Sequence, residues 1–275
     1  MATAFRRIVL MGKSPSSEVS ESLEALAGFL RGEGCEVLAE KDCALADLAV
    51  VIGGDGTMLA AARNLVRHRV PVVGINRGRL GFMTDIAQED MRESIGAILA
   101  GRHTTEDRTL IDAEIVRDGK TLLSTLALND AVVNKGAQGR LTEFEVYIDG
   151  EFVYRLRSDG VIVATPTGST AYALSAQGPI LHPSLPAFTL VPLNPHTLTA
   201  RPVSISDRSV IEIVLLHAVD ARAHFDGQAL ADLAEGDRLR LKRSSDPIRF
   251  IHPPGYSYFE MLREKLRWSE AVERN

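Results

Sequence analysis

The stretch LAVVIGGDGTMLAAARNLV, residues 48–66, runs from an apolar β-like segment through a glycine-rich turn straight into a helical pattern. Strand, glycine turn and helix in that order form the unit of a parallel α/β sheet. The same layout aims backbone N–H donors at phosphate groups from a helix N-terminus. Asp55 stands inside the turn. A carboxylate repels phosphate, so the acid either caps a turn that binds nothing or has chemical work where phosphates sit. Gly53, Gly54 and Gly56 lack a Cβ, so they can take positive φ and let a ligand approach the main chain. Three glycines around one acid, just past a buried strand, favour a site over a plain turn.

The alternation extends outward on both sides. RIVLMG (7–12) reads as a first strand, and Ser14 with Pro15 as the start of a helix. Val19, Leu23, Leu26 and Leu30 carry that helix at helical spacing until Gly32 and Gly34 end it. CEVLAE (35–40) and VPVVGI (70–75) add strands; the loop NRGRLGF (76–82) leads to a helix with Met91, Ile95 and Leu99, closed by Gly101. Residues 1–107 are therefore expected to form an α/β domain with a parallel sheet.

From residue 108 the texture changes to alternating strands joined by Asp-Gly turns, RDGK (117–120) and IDGE (148–151). In EFEVYID (143–149), Phe144, Val146 and Ile148 share one face. This texture runs to residue 252 and predicts an all-β domain, two antiparallel sheets packed as a β-sandwich. Residues 253–275 return to helix, with Ser257 and Glu260 as a capping box and Phe259, Leu262 and Leu266 as its apolar stripe; this helix is expected to complete the first domain.

Composition narrows the class. The chain has 275 residues, 45% hydrophobic and 24% charged, enough for two cores. A net charge of −5 argues against nucleic acid as a partner. In DRLRLKR (237–243), Arg238, Arg240 and Lys242 alternate, which in a strand is one solvated face rather than a binding patch. Two cysteines, Cys35 and Cys43, suit neither a disulfide framework nor a zinc site, and a reducing cytoplasm is expected. The apolar run near the N-terminus is too brief for a signal peptide, and none approaches the roughly 20 residues of a membrane helix, so no membrane association is expected.

Two nucleotide motifs fail on spacing. GKS (12–14) imitates the end of a P-loop, whose first glycine would fall on Arg7, and Gly74, Gly78 and Gly81 miss the dinucleotide pattern. TPTGSTAY (165–172) gathers four Ser and Thr hydroxyls between an apolar strand and a short helix, donors suited to phosphate, ribose or an amide, although such loops are often plain turns. Arg157 and Asp159 lie just upstream, one able to pair phosphate and the other to accept from ribose hydroxyls; Asn129 and Asp130 stand at another strand end.

GGDGT, GINRGRLGF, ND, RSDG, TPTGSTAYALS, HTLTARP and FDGQ, in this order, resemble the bacterial NAD kinases over nearly the whole chain. The resemblance implies transfer of a phosphoryl group from ATP to the adenosine ribose 2′-hydroxyl of NAD, with a divalent cation such as Mg2+ and NAD lying between two domains. It implies Asp55 as proton acceptor with Gly54 and Gly56 beside it. It also assigns Asn129, Asp130, Arg140, Arg157, Asp159, Thr170, Ala171, Tyr172, Ala173, Leu174, Ser175 and Gln228 to the nucleotide pocket, and names no metal ligand. ND replaces the commoner NE, a carboxylate shorter by one methylene. The family leaves the donor open between ATP and polyphosphate, and implies a homo-oligomer, dimer or tetramer, in the cytoplasm. Two rivals stand beside this reading. A lipid kinase sharing GGDG would have no evident use for the dense hydroxyl loop. A sensor that binds NADP without turnover would have no need of the acid at position 55.

Overall fold

Strand β1 (Arg7–Gly12) pairs in parallel with β2 (Glu36–Leu38) on one side and β3 (Leu48–Ile52) on the other; β3 pairs in parallel with β4 (Val72–Asn76), and β4 with the short β5 (Ile86–Ala87). The computed structural model describes residues 5–12, 17–76, 81–136 and 141–268, without the side chains of residues 17, 18 and 228–230. All five residues of β3 are buried, as a strand covered on both faces requires. Helix α1 (Ser17–Gly32) and helix α3 (Met91–Leu99) supply Leu26, Leu30, Ile95 and Ile98 to a cluster with Ile8, Val50 and Ile75. Each such side chain contributes about 1.5–3 kcal/mol. Helix α2 (Asp55–Leu65) buries Met58, Leu59, Ala61, Ala62 and Leu65. Gly34 and Gly101 follow α1 and α3 at φ +81° and +79°, the left-handed stops read from the sequence. The expected cap at Ser14 and Pro15 lies outside the described residues.

After β6 (Thr104–Arg108) the chain enters a second compact unit, Arg108–Pro247. Its strands are β7 (Ile111–Arg117), β8 (Lys120–Ala127), β9 (Asp130–Lys135), β10 (Thr142–Ile148), β11 (Glu151–Ser158) and β12 (Gly160–Ala164). They continue with β13 (Ala187–Leu193), β14 (Val203–Ser206), β15 (Ile211–His217), β16 (Ala221–Phe225), β17 (Gln228–Leu233) and β18 (Arg238–Arg243). Two six-stranded sheets result, in the orders β11-β10-β15-β18-β7-β8 and β14-β13-β12-β9-β16-β17, paired antiparallel throughout. Phe144, Val146, Ile213 and Leu239 of the first sheet meet Val133, Val163, Phe188 and Phe225 of the second in one buried cluster. The Asp-Gly turns take positive φ at both residues, 48° and 73° at Asp118-Gly119 and 53° and 83° at Asp149-Gly150. Those are the angles of a turn whose twist matches a hairpin. On β18, Leu239 and Leu241 point into the core while Arg238 and Arg240 reach Glu212 and Lys242 reaches Asp112, so the basic stripe is an ion-paired face.

The chain then rejoins the first unit, which comprises Met1–Asp107 and Ile248–Asn275. Strand β19 (Ile248–His252) inserts between β4 and β6, giving the order β2-β1-β3-β4-β19-β6. The expected boundary at residue 252 therefore moves to 247: the last strand of the β-rich texture belongs to the α/β sheet, pairing in parallel with β4 at Phe250 and Val72. Helix α4 (Tyr258–Leu266) begins as read, with the Ser257 hydroxyl accepting from the Glu260 N–H. Its buried stripe is Tyr258, Met261 and Leu262; Phe259 is 58% exposed and Leu266 only partly covered, which corrects the expected stripe.

Candidate active site

In the first unit, α2 starts at Asp55 with Gly54 as its N-cap. The carboxylate of Asp55 accepts the N–H of Phe82 at Oδ2 and that of Met83 at Oδ1, both at 3.0 Å. The glycine at 81 makes this possible, because a Cβ there would lie 2.2 Å from Asp55 Oδ1. Gly74 serves the same segment from β4, where a Cβ would lie 2.7 Å from the Met83 carbonyl oxygen. The expected role of the GGDG glycines changes: none of Gly53, Gly54 and Gly56 is among the positive-φ residues. Gly53 is needed for space, since its Cβ would meet Thr57 Oγ1 at 2.5 Å, whereas Gly54 and Gly56 face open space. The first N–H groups of a helix have no intrahelical acceptor, so this bare main chain suits an anion.

In the second unit, the hydroxyl loop lies against Asn129. A Cβ at Gly168 would sit 2.0 Å from the Asn129 carbonyl oxygen. The Thr165 N–H donates to that oxygen at 2.9 Å, and the Thr165 hydroxyl donates to the Leu128 carbonyl at 2.5 Å. Ser169 donates to the Pro166 carbonyl at 2.6 Å and accepts from the Leu181 N–H at 3.0 Å; Thr170 donates to the Thr167 carbonyl at 3.3 Å. The Thr165 and Ser169 hydroxyls are thus bound to nearby main chain, the local competition for backbone groups that Ser and Thr favour.

A cavity of about 270 Å³ opens beside the loop, lined by Asn129, Asp130, Ala171, Tyr172, His224 and Asp226 among others. Asp226 sits in the FDGQ turn at φ 53° with Gly227 at 77°, and its carboxylate accepts from the N–H of Leu128, Asn129 and Asp130 at 3.2, 2.7 and 3.4 Å. Burial, and then the charge of Asp226, push the Asp130 carboxyl up to about 7. Asn129 is buried, and its Oδ1 has no hydrogen-bond partner among the described residues, an acceptor left over for a ligand. His224 Nε2 lies 3.0 Å from Asn134 Oδ1; burial and then Arg222 hold the imidazole below its usual range.

A second cavity of about 440 Å³ shares Tyr172 and adds Ser175, Asn194 and Arg201. Asp159 and Arg157 line neither cavity. The Asp159 carboxylate accepts from Asn194 Nδ2 at 3.0 Å and pairs with Lys135 at 2.7 Å, which holds it below the usual carboxylate range. Arg157 is exposed, while its carbonyl accepts the His196 N–H at 3.1 Å. Ala173 is a packing residue, 1% exposed among Val132, Ile162 and Val191; Leu174 and Thr170 are partly covered. Arg140 and the side chain of Gln228 lie outside the described residues. The sequence reading missed Asp226, His224, Asn134 and Asn194. FDGQ carries the signal for Asp226, an acid directly before a glycine.

Residues 14–103 match the ATP-NAD kinase N-terminal domain family and residues 128–253 the ATP-NAD kinase C-terminal domain family. An NAD kinase of Aromatoleum aromaticum is 55% identical, the alignment covering 100% of this chain and 98% of that protein. An Archaeoglobus fulgidus NAD kinase solved in complex with ATP superposes with a TM-score of 0.79 at 27% identity, over 95% of this chain and 98% of the other. A yeast NADH kinase complexed with NADH shares the fold, with a TM-score of 0.87 at 24% identity over 98% of this chain and 89% of the other.

Proposed function

The chain belongs to the ATP-NAD kinase family, and from that footing we propose that it transfers the γ-phosphoryl group of ATP to the 2′-hydroxyl of the adenosine ribose of NAD, giving NADP. It is an enzyme, a kinase that phosphorylates NAD, with NAD and ATP as substrates. The observation that carries the division of labour is the Asp55 carboxylate, fixed by two main-chain donors beside the open backbone of Gly54 and Gly56.

Phosphoryl transfer asks a protein for position and charge neutralisation more than for covalent chemistry. Two of the lone-pair positions of Asp55 are taken by Phe82 and Met83, and a carboxylate has others with which to accept from the 2′-hydroxyl. Asp55 orients that hydroxyl and takes its proton as the oxygen attacks phosphorus. The new P–O bond forms as the bond to the β–γ bridging oxygen breaks, and ADP leaves with the electron pair. The N-terminal turn of α2 cradles the phosphates. Asn129, Asp130, Ala171 and Tyr172 hold one half of the dinucleotide, and Tyr172 with Ser175 the other. Arg157, Asp159, Arg140 and Gln228 are further contacts by family likeness.

A divalent cation, Mg2+ by preference, is part of this proposal. Among the described residues no group of three or more His, Cys, Asp or Glu gathers to cage a metal. Asp55, beside the bare main chain of Gly54 and Gly56, would be the carboxylate that holds such an ion together with substrate phosphates, the usual manner of Mg2+. When bound, it neutralises phosphate charge, which removes the objection to an acid in this loop. Polyphosphate is proposed as an alternative donor, since a cradle of bare main chain reads phosphates rather than a base. We also propose a homo-oligomer, dimer or tetramer, supported by edge strand β11, where Phe152 and Val153 are 51% and 41% exposed. A cytoplasmic site is supported by the two free thiols, Cys35 and Cys43, and no helix of the described residues is long and apolar enough to cross a membrane.

Incubation with ATP, Mg2+ and NAD, followed by phosphorus NMR of the product, tests the assignment. A 2′-phosphomonoester is expected. A 3′-phosphate, or turnover of a diacylglycerol or sphingoid base in place of NAD, would overturn it.

A further inference from the structure

His252, at the end of β19, is 1% exposed and lies among charges that the transfer chemistry leaves unused. Its Nδ1 is hydrogen-bonded to Asp85 Oδ2, and its Nε2 lies 3.5 Å from Glu106 Oε2 of β6. Tyr256 stacks on the ring at 3.8 Å with an interplanar angle of 7°, brought back over it by the turn in which the Tyr256 N–H donates to the Pro253 carbonyl and Gly255 takes φ +86°. A carboxylate hydrogen-bonded at Nδ1 and a second one facing Nε2 fix the orientation of the ring from both sides. Removing either partner of this buried hydrogen bond leaves the other unsatisfied, so the arrangement holds its members firmly in place.

What it holds is the segment that holds Asp55. Asp85 stands two residues after Met83, whose N–H, with that of Phe82, binds the Asp55 carboxylate. Between them, the Thr84 hydroxyl accepts the N–H of Gly81 at 3.0 Å, tying the segment into one tight loop. Asp55 thus anchors the loop at one end and His252 anchors it at the other. We propose that His252, acting through Asp85, is a positioning residue for phosphoryl transfer: it keeps the Phe82 and Met83 amides aimed so that the Asp55 carboxylate stays oriented toward the attacking hydroxyl. This inference rests on the reading of Asp55 as proton acceptor.

The test uses full-length Asp85→Ala, with Asp85→Asn, of equal size, as the variant that carries it should the alanine form fail to fold. Three readouts are taken: kcat against KM for NAD, amide hydrogen exchange at Phe82 and Met83, and a double-mutant cycle with Asp55→Asn. The expected result is a kcat about tenfold lower with KM for NAD within about twofold, faster exchange at both amides, and less than about twofold further loss when the change is added to Asp55→Asn. Unchanged exchange at Phe82 and Met83, or losses that multiply in the cycle, would overturn the inference while leaving the role of Asp55 standing. An Asp55→Asn enzyme with normal turnover would instead remove the premise, and the inference with it.

Discussion

Asp55 shows how closely a residue's chemistry depends on what its neighbours lack. Its carboxylate reaches the Phe82 and Met83 amides only because position 81 has no side chain, a Cβ there lying 2.2 Å from Oδ1. Gly81→Ala should therefore displace the acid and lower kcat about 10²-fold, the scale of a misplacement near 1 Å, while the melting temperature changes by only a few degrees; steady-state kinetics beside thermal melting checks this. Asp130 carries a different cost. Its folded carboxyl titrates at about 7 against 3.8 in the unfolded chain. Between those values the folded state binds more protons, so this group's contribution to stability falls as pH rises and the penalty is complete above about 7. Asp130→Asn should stabilise the substrate-free protein at pH 8 by up to about 4 kcal/mol and change it little below about pH 4, as urea titration at the two pH values will show.

At the scale of the element, helix caps and hairpin turns were legible because their angles are chemically specified. Asp118-Gly119 and Asp149-Gly150 read as hairpins and have the backbone for it. The Ser257 cap was legible for the same reason, and Ser257→Ala should cost about 1 kcal/mol of stability with kcat unchanged, measurable by urea unfolding beside a turnover assay. The face of α4 was not legible. Phe259-Leu262-Leu266 and Tyr258-Met261-Leu262 share Leu262 and fit the same period, and the surroundings of the helix, invisible in its own sequence, chose the second. In the hydroxyl loop, Ser and Thr satisfy nearby backbone groups first, so Thr165 and Ser169, both 0% exposed, are architecture.

For the whole molecule, the order of chain and the order of space part company at residue 247. IRFIH (248–252) reads like any strand of the texture before it, and nothing local says that it belongs to the α/β sheet; that information lies in β4 and β6, which it joins. A chain ending at residue 247 should lose the strand between β4 and β6. The expected outcome is loss of a cooperative thermal transition in the α/β unit, followed by circular dichroism, with no NAD turnover. The candidate site was legible as motifs, because phosphate chemistry needs bare main chain and an acid in order. The partners that hold those motifs were not, since Phe82, Met83 and Asp226 are joined to their sites by folding. The most direct test of the account is the turnover of Asp55→Asn. The amide keeps the side chain's size but has one accepting oxygen for two main-chain donors and no negative charge, so kcat should fall about 10² to 10⁴-fold, with NAD affinity measured by calorimetry little changed and circular dichroism intact. Turnover within a few-fold of the unaltered enzyme would contradict the claim, leaving Asp55 as an anchor for residues 82 and 83 and not the acceptor of the proton.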